Sequence, residues 1–216
     1  MKKSAGMSVF QRLVIAVVVT VSLASLYFGL RAAWADAMSM QARWQTTQWQ
    51  LGREAIPKPL EWAKTRAELL AAQRVTPDDP QLYENLGYLS GMRAADLRAI
   101  PELEQAMLDD AIKYFGAATS LRPMSPYPWA NLMLARHLRK ELSGSIWPEF
   151  DRAYLYGKKE AGVQRILAEV GFARWDEMGS ERQGKLLAMV NGAYPHAKGS
   201  LVDIARKYRK DTLLGQ

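Results

Sequence analysis

The chain has 216 residues, 49% of them apolar, with a formal net charge of +7 and no cysteine. These totals suit one domain with an appendage, and they exclude disulfides, thiolate metal sites and cysteine nucleophiles. Lys2, Lys3 and Arg12 precede the first acidic residue, Asp36, so the chain after residue 30 keeps only +4 of the +7. No basic run alternates with aromatic residues, so no nucleic-acid partner is expected.

The first predicted element is a membrane-spanning helix at residues 13–30. This uncharged segment would span about 27 Å as a helix, close to the thickness of the hydrocarbon layer. The basic residues before it favour a cytoplasmic segment at 1–12 and place the rest across the membrane. A cleaved signal peptide is the alternative, because Ala33-Trp34-Ala35 and Ala35-Asp36-Ala37 resemble cleavage sites. The apolar run exceeds the usual signal core, and Arg31 separates it from those sites, so we expect an uncleaved anchor.

Residues 31–56 are predicted to continue as a juxtamembrane helix that Pro57 and Pro59 end. Trp44 and Trp49 are expected to pack this helix onto the following domain, with stacking on sugar rings as the alternative. A coiled-coil dimer stays open, since too few heptads are present to argue it. The expected apolar stripe, near heptad spacing, is Ala37, Met40, Trp44 and Leu51, with Trp34 and Met38 beside it.

Two similar turns predict an internal repeat. Residues 74–86 read RVTPDDPQLYENL, and residues 120–132 read SLRPMSPYPWANL. At the single offset of 46, two prolines, an Asn-Leu pair and an aromatic residue coincide, which is more than chance accounts for. Proline cannot continue the preceding helix, so each copy closes one helix and opens the next.

The soluble part is predicted to be all-α, because helix-forming residues are abundant and β-branched runs are rare. Ser180 is expected to cap one helix, and the basic C-terminal tail is expected to fray. Helices are predicted at 60–74, 81–98, 103–120, 129–142, 149–156, 163–178, 180–190 and 200–208, with a Ser-Gly-Ser loop at 143–145. Their expected apolar faces include Leu60, Ala63, Ala67, Leu70 and Ala71; Ala111, Tyr114, Phe115, Ala118 and Leu121; and Val163, Ile166, Leu167, Val170 and Trp175.

This pattern resembles the tetratricopeptide repeat, a helix–turn–helix unit of about 34 residues. Residues 110–123 look like its second helix and terminal proline, and 83–87 and 129–132 look like first-helix signatures. The longer offset leaves extra residues near 91–104, which either lengthen both helices or add a short crossing helix. We therefore predict an irregular tetratricopeptide-like domain at 57–178, followed by a helical cap and basic tail at 179–216.

No catalytic constellation is present in the sequence. It contains no G-x-S-x-G, no H-E-x-x-H and no Gly-rich phosphate loop. His137 and His196 lie far apart, and the adjacent acidic pairs cannot face each other within a helix. Asp109 is expected to pair with Lys113. We expect a non-enzymatic protein without cofactor or metal; cleavage of glycosides by paired carboxylates is the alternative.

A helical array offers a concave surface, and its usual use is to hold a partner. In the tetratricopeptide register, the inner positions belong to the first helix of each unit. The predicted partner-binding residues are Gln81, Glu84, Tyr88, Tyr127, Leu134 and His137.

Four stretches resemble the VpsP-type family of polysaccharide biosynthesis proteins. They read ARWQTTQWQLG (42–52), RPMSPYPWANLMLAR (122–136), EFDRAYLYG (149–157) and VQRILAEVGFARWDEM (163–178). The resemblance implies one span of the bacterial inner membrane, a periplasmic tetratricopeptide-like domain and an accessory role in exopolysaccharide synthesis or export. Its partners would be other membrane proteins of that machinery. The segment 157–162, GKKEAG, departs from the Pro-containing turn expected there, and no catalytic residue carries over.

Two other functions stay open. One is a scaffold for a different envelope machine, such as a pilus or secretion system. The other is direct contact with polysaccharide, which requires exposed Trp or Tyr platforms; Trp129 is instead expected to be buried, so that Trp129→Ala would unfold the domain.

Overall fold

The computed structural model of the protein describes residues 8–141, 144 and 146–215, and these residues contain helices and connections but no strand. The predicted all-α class is confirmed for this part of the chain. Leu142, Ser143 and Ser145, where a helix end and a loop were predicted, lie outside the described residues. The α-helices are α1 (Val9–Gln50), α2 (Pro59–Val75), α3 (Pro80–Asp96), α4 (Pro101–Leu121), α5 (Pro126–Leu138), α6 (Trp147–Gly157), α7 (Ala161–Ala173), α8 (Ser180–Asn191) and α9 (Pro195–Lys207).

Helix α1 contains the predicted membrane segment and the juxtamembrane helix in one unbroken run of 42 residues. The predicted end at the prolines is wrong, because the helix stops at Gln50. Gly52 takes a positive φ of 63°, and the Arg53 N–H reaches back to the Gln48 carbonyl at 3.0 Å. Glycine adopts this left-handed conformation without steric cost, so it ends the helix before Pro57 is reached.

Four small residues and Trp49 form the buried face of α1. This face is opposite the predicted stripe, whose members Met40, Trp44 and Leu51 are 69, 52 and 56% exposed. Small side chains let α1 approach α2 and α3 closely. Trp49 packs on the domain as predicted, whereas Trp44 does not. The buried residues of α1 are Ala35, Ser39, Ala42, Thr46 and Trp49.

The helices form two rows. Helices that follow one another in the chain pack together, and α1, α3, α5, α7 and α9 also contact one another in that order. The even-numbered helices lie against this odd row. Ion pairs link neighbours among them: Arg66 of α2 with Asp110 of α4 at 2.9 Å, and Arg182 of α8 with Asp151 of α6 at 2.7 Å.

The core runs through both rows in three clusters of buried side chains, one among α1–α3 together with Tyr114 of α4, one between α4 and α5, and one among α5–α9. Tyr88 packs against the first two clusters, and Trp129 packs against the last two. These two half-buried aromatic rings connect the clusters. Trp129 is therefore less buried than the sequence predicted.

The two repeated turns have the same backbone geometry. Thr76 and Arg122, which follow α2 and α4, have φ/ψ of −126/76° and −135/71°. Three residues later, the N–H of Asp79 or Ser125 donates to the carbonyl of Thr76 or Arg122, at 3.2 and 3.1 Å. The internal repeat therefore corresponds to a repeated joint between helices.

The matched aromatic residues make the same hydrogen bond in both turns. The Tyr83 hydroxyl donates to the Pro77 carbonyl at 2.9 Å, and Trp129 Nε1 donates to the Pro123 carbonyl at 2.8 Å. In each case the donor lies six residues after the acceptor. The aromatic ring thus ties the first turn of one helix to the end of the helix before it.

A third copy of this joint follows α6. Gln164 Nε2 donates to the Lys158 carbonyl at 2.8 Å, again across six residues. Gly157 occupies the position that Arg122 has in the second joint, 35 residues earlier in the chain. The Gly157 carbonyl accepts from the Glu160 N–H at 2.9 Å. The copy has neither the prolines nor the aromatic residue, so the sequence did not reveal it.

The second and third joints meet through glycine. A Cβ on Gly157 would lie 2.5 Å from the Cβ of Pro126, closer than real Cβ atoms approach. The segment 157–162 lacks the prolines of the other two turns, but it keeps their hydrogen bonds. Any larger residue at 157 would push the two turns apart.

Proline positions explain why several helices begin earlier than predicted. Helices α5 and α9 begin at Pro126 and Pro195, whereas the predicted starts were Trp129 and Ser200. Proline suits the first helical position, where its missing N–H is not needed. Pro101 likewise restarts a helix, and α3 and α4 have 17 and 21 residues. The extra residues near 91–104 therefore lengthen both helices, one of the two expected outcomes.

The inward face of α2 differs from the predicted one. Its buried residues are Thr65, Leu69 and Ala72, and the half-buried Trp62 donates from Nε1 to a carbonyl of α3 at 2.9 Å. The Trp62 ring packs against the first cluster on this face, whereas Leu60 is 82% exposed. The predicted face is wrong at Leu60, Ala63 and Ala67, which are all exposed.

The C-terminal region differs from prediction at three points. Helix α7 ends at Ala173 and is followed by a 3-10 turn, so it is shorter than predicted. Gly179, without a side-chain cap, occupies the cap position predicted for Ser180. The tail does not fray, because Lys210 pairs with Asp176 at 3.3 Å and Leu214 packs against the core.

Candidate partner-binding groove

An apolar groove of about 300 Å³ lies between α3 and α5 in the odd row. The buried Leu108 and Phe115 of α4 form its floor, and Ile166 of α7 borders it. Asn131 is its one amide side chain. The groove is lined by Gly87, Tyr88, Gly91, Met92, Leu108, Phe115, Asn131, Leu134, Ala135, Leu138 and Ile166.

Two glycines on α3 shape the groove. A Cβ on Gly87 would lie 2.8 Å from the Phe115 ring, so the absence of a side chain lets α3 and α4 pack closely. Nothing lies within 4 Å of the corresponding position on Gly91, which faces open space. One glycine therefore permits close helix packing, and the other leaves room above the floor.

Tyr88 and Leu134, two of the six predicted binding residues, lie on opposite walls of the groove. Tyr88 projects from α3, and Leu134 projects from α5. Both are partly buried, and burial raises the pKa of the Tyr88 hydroxyl. An apolar ligand in the groove would contact both side chains.

Gln81 and Glu84 lie nearer the start of α3. Gln81 Nε2 donates to Asn85 Oδ1 at 3.4 Å, and Glu84 Oε1 lies 3.4 Å from Arg122 Nη1. Burial raises the pKa of Glu84, and the nearby Arg122 guanidinium partly offsets this effect. Glu84 therefore links α3 to the turn after α4, and neither residue lines the groove.

Tyr127 lies at the contact between the second and third turns. Its hydroxyl is 3.4 Å from Glu160 Oε2, and a Cβ on Gly162 would lie 3.0 Å from its ring. Burial, together with Glu160, raises the pKa of Tyr127. These contacts join the second turn to the third, and Tyr127 is not part of the groove lining.

His137 lies near the end of α5, outside the groove lining. Arg174 Nε donates to its Nδ1 at 3.0 Å, and Arg174 Nη2 donates to the Glu141 carbonyl at 2.9 Å. Because a guanidinium can only donate, Nδ1 must accept and the ring is neutral in this arrangement. Burial lowers the pKa of His137, and the charge of Arg174 lowers it further.

Sequence reasoning missed most of the groove lining. Gly87 and Gly91, one turn apart in a helical segment, were the available signal, because each is unfavourable inside a helix and needs a packing reason. Met92 and Leu138 gave no signal, since an apolar residue on a helix is ordinarily part of a core. Asp109 also differs from prediction, because it pairs with Arg139 at 2.8 Å instead of Lys113.

A larger cleft of about 430 Å³ lies between α1 and α2. Its lining includes Glu61, Glu68, Lys58 and Lys64, so both charges are present, and a Gln45–Glu54 hydrogen bond crosses it. This surface is about as polar as it is apolar, and its charges are mixed in sign. The smaller groove is the better candidate for binding an apolar segment.

The described residues contain no group of three or more His, Cys, Asp or Glu placed to hold a metal ion. Among the helices that the structure describes, α1 alone is long and apolar enough to cross a membrane. No protein-family model, curated protein or solved structure matches the chain.

Proposed function

We propose that the protein is a non-enzymatic scaffold, anchored in a membrane by residues 13–30, that binds an apolar segment of a membrane-associated partner in the α3–α5 groove. The observation that carries the proposal is this groove, which exposes apolar side chains from three helices of the odd row. A partner held at the same membrane would meet the groove at high effective concentration, so a small apolar contact would be enough.

A tetratricopeptide-like arrangement is part of the proposal. Supporting it are the odd row of contacting helices, the three joints that share one hydrogen-bond pattern, and the 35-residue distance between the last two joints. In such arrays the first helices of the units line the binding surface. Here those helices would be α3, α5 and α7, which all contribute to the groove.

The proposed compartment and machinery rest on features of the sequence. The basic residues before the span favour a cytoplasmic N-terminus and a domain on the opposite, periplasmic side. The resemblance to VpsP-type proteins supports exopolysaccharide synthesis or export as the process. The partners would then be membrane proteins of that complex, and the polysaccharide itself is a second candidate ligand.

The first test compares two matched variants in membranes. Leu138→Glu places a charge at the groove, where the side chain is 45% exposed, and Leu155→Glu does the same on α6, where it is 62% exposed. Both leucines are near the end of a helix, so both variants should fold. A photo-crosslinking residue at Leu134 reports what enters the groove.

We expect Leu138→Glu to lose the crosslinked partner and to lower exopolysaccharide yield, and Leu155→Glu to change neither. Retention of the partner in Leu138→Glu would show that the groove does not bind it. Capture of pilus or secretion proteins would support the scaffold function but assign it to that machinery instead of to exopolysaccharide synthesis. If deletion of the protein leaves polymer yield and chain length unchanged, the exopolysaccharide assignment is wrong.

A further inference from the structure

The juxtamembrane half of α1 has two faces with different uses. Its small-residue face is buried against α2 and α3, while the opposite face exposes a second stripe. The spacing of that stripe alternates between four and three residues, which is the a/d pattern of a coiled coil. The exposed stripe consists of Ala33, Ala37, Met40, Trp44, Thr47 and Leu51.

The same spacing continues without interruption into the membrane segment. Leu23, Leu26 and Leu30 extend the stripe backwards, within a segment in which every described side chain is exposed. The helix contains no proline from Val9 to Gln50 and is unbroken over that range. Residues 23–51 therefore span four heptads, more than the region after residue 31 contains by itself.

The charged side chains of this part of α1 are held by their own chain. Arg31 bonds to the Val75 carbonyl and lies 3.4 Å from Asp78, and Arg43 pairs with Asp79 at 2.6 Å and with Asp36 at 3.2 Å. No charged residue occupies the stripe. A partner helix would therefore meet only apolar and small polar side chains.

We infer that this stripe, from Leu23 to Leu51, is the interface of a parallel homodimer of the chain. Two copies anchored in one membrane have parallel α1 helices at the same depth, so each stripe residue meets its own counterpart. A second copy supplies an apolar stripe that also continues from the membrane into water at the same height. Coiled-coil pairing of this kind is self-complementary about a two-fold axis.

Ala33 and Ala37 strengthen this assignment. Small residues four apart let two helices approach closely in or near a membrane, and this pair lies just beyond the predicted span. The domain of each copy lies on the opposite side of α1, so it does not block the approach of the other helix. The dimer leaves the α3–α5 groove of each copy outside the α1 interface.

The absence of cysteine from the chain permits a clean test. Ala33→Cys, Ala37→Cys and Met40→Cys are placed singly in the full-length protein in native membranes and treated with a mild oxidant. Ala32→Cys is the matched control, because Ala32 is also exposed but is not part of the stripe. Facing stripe positions bring their Cβ atoms within disulfide reach, whereas position 32 does not.

We expect a disulfide-linked band at twice the monomer mass for the three stripe variants. Ala32→Cys should not form this band. Met40→Lys, combined with Ala33→Cys, should reduce that band, while Gln41→Lys in the same background should not. Equal yields at 32 and 33, or no linked dimer at any stripe position, would show that the stripe faces lipid or a different protein. The groove proposal would be unaffected by that result.

Discussion

At the scale of single residues, one hydrogen bond recurs with three different donors. Tyr83, Trp129 and Gln164 each reach a backbone carbonyl six residues earlier, through a hydroxyl, an indole N–H and an amide. The joint therefore requires a donor at a fixed distance, and not a particular side chain. A search for aromatic residues finds two of these joints and overlooks the third.

The environment of His137 should make the stability of the folded protein depend on pH. Because its folded pKa lies below the unfolded value of about 6.5, the unfolded chain binds the proton first as the pH falls. The folded protein should therefore lose stability on acidification through this range, and His137→Gln should lose less. Chemical denaturation between pH 7.5 and 5.5 measures both.

His196→Gln is the control, since His196 is exposed on α9. The stability advantage of the natural chain over His137→Gln should shrink as the pH falls, while the difference from His196→Gln should stay nearly constant. A constant difference for His137→Gln would mean that burial and Arg174 do not hold this ring in its neutral form.

At the scale of elements, α3 and α4 pack closely because one position has no side chain. Gly87→Ala should destabilise the protein by about 1–3 kcal/mol, because the buried Phe115 ring must move to admit a methyl group. Gly91→Ala should instead stabilise it by up to about 1 kcal/mol, because alanine favours a helix and the space is open. Thermal unfolding of both variants measures the difference.

The two glycines lie one turn apart on the same helix, so propensity alone predicts the same gain for both. A stabilising Gly87→Ala would contradict the close contact between α3 and α4. A destabilising Gly91→Ala would mean that the groove above the floor is filled.

At the scale of the whole molecule, the second half of α1 belongs to the domain. Its buried face covers Leu69 and Leu82, which are fully inaccessible to solvent. A shortened chain that begins at Arg31 keeps this cover and should fold cooperatively in water. One that begins at Arg53 should be less stable by about 3 kcal/mol or more, since burial of each large apolar side chain contributes about 1.5–3 kcal/mol.

Urea unfolding and binding of an apolar dye compare the two shortened chains. The shorter one should bind more dye, because removal of Trp49 and its neighbours uncovers the first cluster of the core. Equal stability and dye binding would show that α1 is only a tether beside the membrane. This result would also separate the role of α1 in the fold from its proposed role in pairing two copies.

The sequence by itself determined the all-α class, the apolar segment at 13–30, the two Pro-rich joints and most helix positions. These features depend on composition, local propensity and proline geometry, which act between residues close in the chain. It also identified Tyr88 and Leu134 among the possible contact residues, although their common groove was not visible.

Only the tertiary structure decided which faces of α1 and α2 are buried, because both faces contain apolar or small residues and the neighbouring helix selects between them. It also decided that residue 157 must be glycine, since Pro126 approaches it from a distant part of the chain. The groove likewise required the relative positions of four helices, α3, α4, α5 and α7. These outcomes depend on packing between residues far apart in sequence, which hydrophobic periodicity within one helix does not specify.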